Sequence, residues 1–171
     1  LLEHADLDFV FGVVRAYEHD RDMCYDPLRS SLSGVFCRPQ HPLAIRGTAD
    51  AAELAGAEWA LISSSLSRSA FRDYFSSRGL PPPHVGLYTN SLPALLGIVR
   101  ETDVVTNLPE QLVAADVACG ALAQLRADAP GGHASIGFLY RRSQVVTPAM
   151  QVAMELIRGF GENLYPAARD S

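Results

Sequence analysis

The chain has 171 residues, is 48% hydrophobic and 19% charged, and carries a formal net charge of −5. That length suits one domain or two small lobes built together, and the apolar content excludes a disordered chain. All 14 basic residues are arginine, which excludes chemistries that need a lysine: the P-loop, the Schiff base and S-x-x-K acyl transfer.

The arginines are scattered, and Arg141-Arg142 is their one adjacent pair. A phosphate backbone demands a clustered positive face, so the chain is not expected to bind DNA by itself. No apolar run approaches the ~18 residues of a membrane span. The opening Leu1-Leu2-Glu3-His4 has no basic n-region, no cleavage site and no initiator Met, and reads as part of a longer chain. Cys24, Cys37 and Cys119 are too few and too far apart for a disulfide framework. They read as buried, inert thiols in a reducing, cytoplasmic compartment.

Period-two and helical-period apolar runs alternate, the mark of an α/β architecture. Leu7 to Val14 predicts a strand buried on both faces. Asp20 to Asp26 is polar and turn-rich. Pro27 to Arg29 and Leu32 to Arg38 read as extended, and Pro39 and Pro42 bar a central strand or a helix interior. Thr48 to Ala55 predicts a helix capped by Thr48, with Gly56 in the left-handed position after it. Trp59 to Ile62 is a short strand. Leu66 to Arg78 is a helix with Leu66, Ala70, Phe71, Tyr74 and Phe75 on one face, ended by Gly79 and Pro81-Pro82-Pro83. His84 to Tyr88 is a strand, and Thr89-Asn90-Ser91 opens a helix through Glu101, with Pro93 in its first turn. Val104-Val105 is a strand, and Leu108-Pro109 starts a helical turn. Ser135 to Tyr140 returns to strand. Thr147-Pro148 starts a helix predicted to bury Met150, Ala153, Leu156, Ile157 and Phe160, fraying at Gly159 and Gly161.

Four stretches carry a family resemblance. They are Ala5-Asp6-Leu7-Asp8-Phe9-Val10-Phe11-Gly12, the run Val35-Phe36-Cys37 into Pro39-Gln40-His41-Pro42-Leu43, Asn107-Leu108-Pro109, and Val146-Thr147-Pro148-Ala149-Met150. As a set, spread in order over nearly the whole chain, they resemble the effector-binding domain of LysR-type transcriptional regulators. The resemblance implies a two-lobe fold like that of type 2 periplasmic binding proteins, with two crossover strands and ligand between the lobes. Carried onto this chain, lobe I is 1–60 plus 138–171, lobe II is 61–137, and the crossovers are Trp59 to Ser63 and Gly137 to Arg141. The family's first strand and helix have no counterpart here, so lobe I is expected to be incomplete. Arg100-Glu101-Thr102-Asp103 replaces the family's glycine-rich turn.

In open α/β sheets, ligands bind at the carboxyl ends of strands, where helix N-termini present free N–H groups. Ser63-Ser64-Ser65 and Thr89-Asn90-Ser91 both stand between a strand and a helix. Capping needs only one hydroxyl at each, and the rest are candidate ligand contacts. Gly12 and Val13 end the first strand, where Gly12 admits a ligand to the backbone. Arg15 offers a bidentate anion partner. Arg68, a turn beyond Ser64, and Asn107 complete the candidates; Asn commonly serves a turn instead. The ligand suited to these groups is a small polar or anionic metabolite. No G-x-S-x-G is present, and the five histidines are scattered without a metal-ligand spacing. His41, in a turn after Pro39-Gln40, reads as structural or solvated rather than catalytic. No catalytic constellation, cofactor or metal is expected.

The resemblance implies an effector-sensing and oligomerisation domain. Its effector domains pair side by side, its full-length chains form tetramers, and it touches DNA only through a winged helix-turn-helix absent from this sequence. No membrane partner is expected. The alternative on the same fold is a transport-type solute-binding protein.

Overall fold

A computed structural model describes residues 7–13, 21–63, 65–128, 130 and 132–164. They form two compact units, one from Leu1–Ser31 with Ala134–Ser171 and the other Leu32–His133.

The second unit is built on parallel strands. Strand β3 (Glu58–Ile62) lies between β4 (His84–Thr89) and β5 (Val104–Pro109), parallel to both. The later part of β2 (Met23–Cys37) runs antiparallel to β5, with Ser33 opposite Pro109 and Phe36 opposite Thr106. Strand β6 (Ala123–Leu125) covers the other side of β2. Helices α3 (Ser65–Ser76), α4 (Leu92–Glu101) and α5 (Glu110–Ala118) connect these strands.

Side chains alternate along each strand, so this sheet supports two cores. Val35, Trp59, Leu61 and Val105 meet Phe71, Tyr74 and Phe75 of α3 on one face. Phe36, Ala60 and Leu108 meet Leu95, Leu96 and Val99 of α4 and Val113 of α5 on the other. Trp59 packs edge-on to Phe71 at 4.8 Å and to Phe75 at 6.2 Å between centroids. Its buried indole N–H donates to the Leu54 carbonyl at 2.8 Å, so the ring is held without an orphaned donor.

Local chemistry sets the helix ends. After α3, Gly79 takes φ +68° and the Leu80 N–H reaches back to the Phe75 carbonyl, which closes the helix with a left-handed glycine. Pro42, read as barring a central strand or a helix interior, opens the short helix α1 (Pro42–Arg46) at its first position, where a proline is tolerated. His41 caps it: its Nδ1 accepts from the Leu43 N–H at 3.1 Å. Helix α2 (Ala51–Gly56) starts later than expected, because Asp50 and Glu53 form a reciprocal capping box that Thr48 cannot match. Gly56 is therefore inside the helix. The Arg100-to-Asp103 stretch is fixed by an ion pair, Arg38 Nη2 to Asp103 at 2.9 Å, and by the Thr102 hydroxyl donating to the Ile98 carbonyl.

The first unit contains β1 (Val10–Val13), all but the first residue of β7 (His133–Arg141), the early part of β2, and α6 (Pro148–Leu164). Strand β1 pairs with β7, and β7 pairs with β2. At Gly137 a Cβ would lie 2.3 Å from the Asp26 carbonyl oxygen and 2.9 Å from the Cα of Pro27. Only glycine fits where these backbones meet. Helix α6 begins as expected, with the Thr147 hydroxyl accepting from the Met150 N–H. Met150 and Met154 are buried, and Arg158 pairs with Asp26 and lies over the Phe138 ring.

Several expectations change. Strand β1 is an edge strand, so Leu7, Val10 and Phe11 are exposed rather than buried on both faces. Residues from Met23 onward, read as turn-rich, join one unbroken 15-residue strand. Leu108-Pro109 ends a strand, and the helix starts after it. Leu156 and Phe160 are exposed, because Met150 and Met154 supply the buried face of α6 instead. Trp59 to Ile62 is flanked by parallel strands of the second unit, and the chain passes between the two units within β2 at Ser31–Leu32 and at the start of β7 at His133–Ala134. Of the thiols, Cys37 is buried, Cys24 half-buried and Cys119 exposed. Burial, with Asp103 nearby, pushes the Cys37 thiol up to about 11, so it is inert.

Candidate functional site

Strands β3 and β4 are parallel and, beyond a register shift between Trp59 and Ala60, pair to their last residues, Ile62 opposite Thr89. Their carboxyl ends therefore share one edge, and both continue into helices. The Ser63 N–H donates to the Thr89 carbonyl at 2.7 Å, carrying the pairing one step past the strands. Ser63 and Asn90 are exposed there.

On the β4 side each polar group has a defined place. The Thr89 hydroxyl accepts from the Ser91 N–H at 3.1 Å, and the Ser91 hydroxyl accepts from the Ala94 N–H at 3.3 Å as the cap of α4. Each of these oxygens still carries a proton to donate. The Asn90 side chain, between two fixed neighbours, faces solvent. On the β3 side, α3 begins at Ser65. Two helix starts thus stand at one strand edge, where free N–H groups and the positive ends of the helix dipoles favour an anion or a polar oxygen.

The candidates divide accordingly. Ser63, Thr89, Asn90 and Ser91 come together, with the start of α3 at Ser65 beside them. Ser64 and Arg15 lie outside the described residues. Arg68 is within α3, and its side chain is also outside what is described. Gly12 and Val13 are on β1 in the other unit, where Gly12 pairs with Gly137. Asn107, on β5, is committed elsewhere: its Nδ2 donates to the Pro130 carbonyl at 2.5 Å. Among the described residues, no group of three His, Cys, Asp or Glu side chains is placed to hold a metal ion, and no helix is long and apolar enough to cross a membrane.

His41 is the buried polar residue whose position sequence placed least well. Burial lowers its pKa, against the raising effect of Asp103. A neutral ring is what the α1 cap requires, since Nδ1 must stay unprotonated to accept from Leu43. The signal was present in sequence: a His before a Pro that can occupy the first helical position.

Comparison with known proteins agrees with this architecture. Residues 1–161 match the model of the LysR substrate binding domain family. The HTH-type transcriptional regulator GalR of Pseudomonas putida is 27% identical over 163 residues, covering 92% of this chain and 40% of the relative. The SDS degradation transcriptional activation protein of a Pseudomonas species is 30% identical over 162 residues, covering 92% and 51%. The chain thus spans about half or less of these relatives. Among solved structures, the effector binding domain of QuiR in complex with shikimate superposes with a TM-score of 0.74 at 20% identity, over 95% of this chain and 75% of that one. The Synechocystis CcmR regulatory domain in complex with 2-PG superposes with a TM-score of 0.79 at 16% identity, over 95% and 77%. These two relatives are transcriptional regulators, not transport proteins. The α/β fold, like that of type 2 periplasmic binding proteins, is the one the sequence led us to expect, and the chain belongs to the LysR substrate binding domain family.

Proposed function

We propose that this chain is the effector-sensing module of a LysR-type transcriptional regulator. It takes a small polar or anionic metabolite at the shared carboxyl edge of β3 and β4. The observation that carries the reading is the Ser63–Thr89 hydrogen bond, which sets the starts of α3 and α4 side by side at one strand edge. Ser63, Thr89, Asn90 and Ser91 then offer hydroxyl, amide and backbone donors to one ligand. The regulator identity of the two relatives supports sensing over transport, and solved neighbours that hold shikimate and 2-PG show that this fold takes small ligands.

The module works in the cytoplasm and performs no catalysis. It pairs with a second copy, and the full-length regulators form tetramers that reach DNA through a winged helix-turn-helix. Ligand changes DNA binding only if it prefers one of two arrangements of the regulator.

Thermal unfolding against a panel of small organic acids, sugars and aromatics tests the reading. A ligand of the native state raises Tm with concentration, by an amount equivalent to about 2.7 kcal/mol at a hundredfold excess over Kd. The expected result is a dose-dependent rise for at least one compound, lost in Asn90→Ala and in Thr89→Val. A rise untouched by both variants would place the ligand elsewhere, and no rise across the panel would overturn the sensing role.

A further inference from the structure

Two turns of the second unit meet at one aspartate. The first leads from β2 into α1, and the second from α4 into β5. Arg38, in the first turn, reaches the Asp103 carboxylate with Nε and Nη2, both at 2.9 Å. The Arg38 carbonyl accepts from the His41 N–H at 3.0 Å, which closes that turn. The His41 ring is buried beside the same aspartate. It is hydrogen-bonded to the Asp103 backbone, and its Nδ1 accepts from the Leu43 N–H at 3.1 Å. A neutral ring that accepts at Nδ1 carries its proton on Nε2. His41 therefore links the first turn of α1 to the α4–β5 turn.

The charges around the ring come from both turns. Asp103 favours a proton on it, and Arg38 opposes one. Glu101 acts on Arg38 from the end of α4, and the buried Cys37 thiol at the end of β2 stays uncharged. Helix α1 has no acid in its first turn, and Arg46 at its far end pairs with Glu53.

A second proton acts unequally on the two sides of the ring. On the Asp103 side an imidazolium gains attraction. On the α1 side Nδ1 becomes a donor and faces the Leu43 N–H, another donor, so the cap is lost. Little else holds α1. It has five residues, none fully buried, and rests on the core through the partly buried Leu43 and Ala44. So short a helix has no stability of its own.

We propose that His41 is a proton-operated latch on α1: neutral, it ties the helix to Asp103, and protonated, it keeps Asp103 and releases the first turn of α1 while both cores stay packed. Burial holds the ring below the ordinary 6.5, so the latch is closed at neutral pH and opens as pH falls below that value.

An amide and imidazole resonance titration of the whole chain from about pH 7.5 to about pH 5 tests it. Protection of the Leu43 amide, corrected for the intrinsic exchange rate at each pH, is expected to fall about fivefold. The fall should share the midpoint of the His41 ring resonances, with the Trp59–Leu61 and Leu95–Val99 amides unchanged. In His41→Asn, which keeps an acceptor but takes no proton, Leu43 should not respond. In Asp103→Asn, which serves if the first variant does not fold, the ring midpoint and the Leu43 response should move together to lower pH. A Leu43 response that persists in His41→Asn, or that stays behind when the ring midpoint moves, would overturn the proposal. So would a ring that stays neutral until the whole chain unfolds, or a loss of protection shared by Leu43, β3 and α4.

Discussion

The two units differ in how completely they cover their own apolar surface. In the second, both faces of the sheet are packed by helices, and Trp59, Phe75, Leu54, Leu95, Val99, Val105 and Val113 are shut from water. In the first, the described core is thin: Met23 and Leu139, with Phe138, Met150 and Met154 nearby. Against it stand exposed apolar residues, on β1 at Val10 and Phe11, and on α6 at Val152, Leu156 and Phe160, the last three 56%, 59% and 65% exposed. These α6 positions are four apart and make one stripe. The difference teaches that the second unit has what it needs to fold and hold a site, whereas the first presents surface that its own described residues leave open.

Four substitutions and one pH experiment break or sharpen this contrast. The largest effect is expected from Phe75→Ala, which removes a ring at the centre of the second unit's core and should cost about 4 kcal/mol. Urea unfolding followed by fluorescence of Trp59, the single tryptophan, reads it directly. Gly137→Ala forces a methyl against the Asp26 and Pro27 backbone and should cost about 2 kcal/mol. That loss should fall on the first unit, with amides of β7 losing protection while the Trp59 midpoint holds. A fall of both together would mean that the units unfold as one.

Asp50→Ala breaks the capping box of α2 and should cost about 1 kcal/mol in the same urea experiment. The pH experiment concerns His41. Its pKa in the folded chain lies below the ordinary 6.5 because of burial. The unfolded state therefore binds the proton first, and stability is present above pH 6.5 and lost as pH falls below it. His41→Asn keeps a side-chain acceptor for the Leu43 N–H and should flatten this part of the pH–stability curve. The smallest effect is expected from Leu156→Gln, within about 0.5 kcal/mol, because the side chain is exposed. A larger loss would show that the α6 stripe is covered in solution.

The second unit was the more legible in sequence, for the same reason that it is the better packed. Its strands and helices are local, and they are punctuated by residues whose chemistry is unambiguous, such as Gly79 with the prolines after it and Ser91 before Leu92. Parallel strands also put their carboxyl ends on one edge, which is why Ser63 and Thr89-Asn90-Ser91, each read as standing between a strand and a helix, lie side by side. Periodicity misled on α6, since an apolar stripe reveals a face but not whether anything packs on it. The polar residues before Pro27 hid the continuity of β2, which runs unbroken from Met23 to Cys37. Asn107 was read as a turn or ligand residue because its partner, Pro130, is 23 positions away.

The most direct test of the central claim is an amide-resonance titration of the chain with small carboxylic acids, beginning with shikimate. The account predicts that a compound that binds will give saturable shifts concentrated at Ser63, Asn90, Ser91 and Ala94, with the interior of β5 and the α6 helix unmoved. Saturable shifts centred elsewhere, or none for any compound, would contradict it.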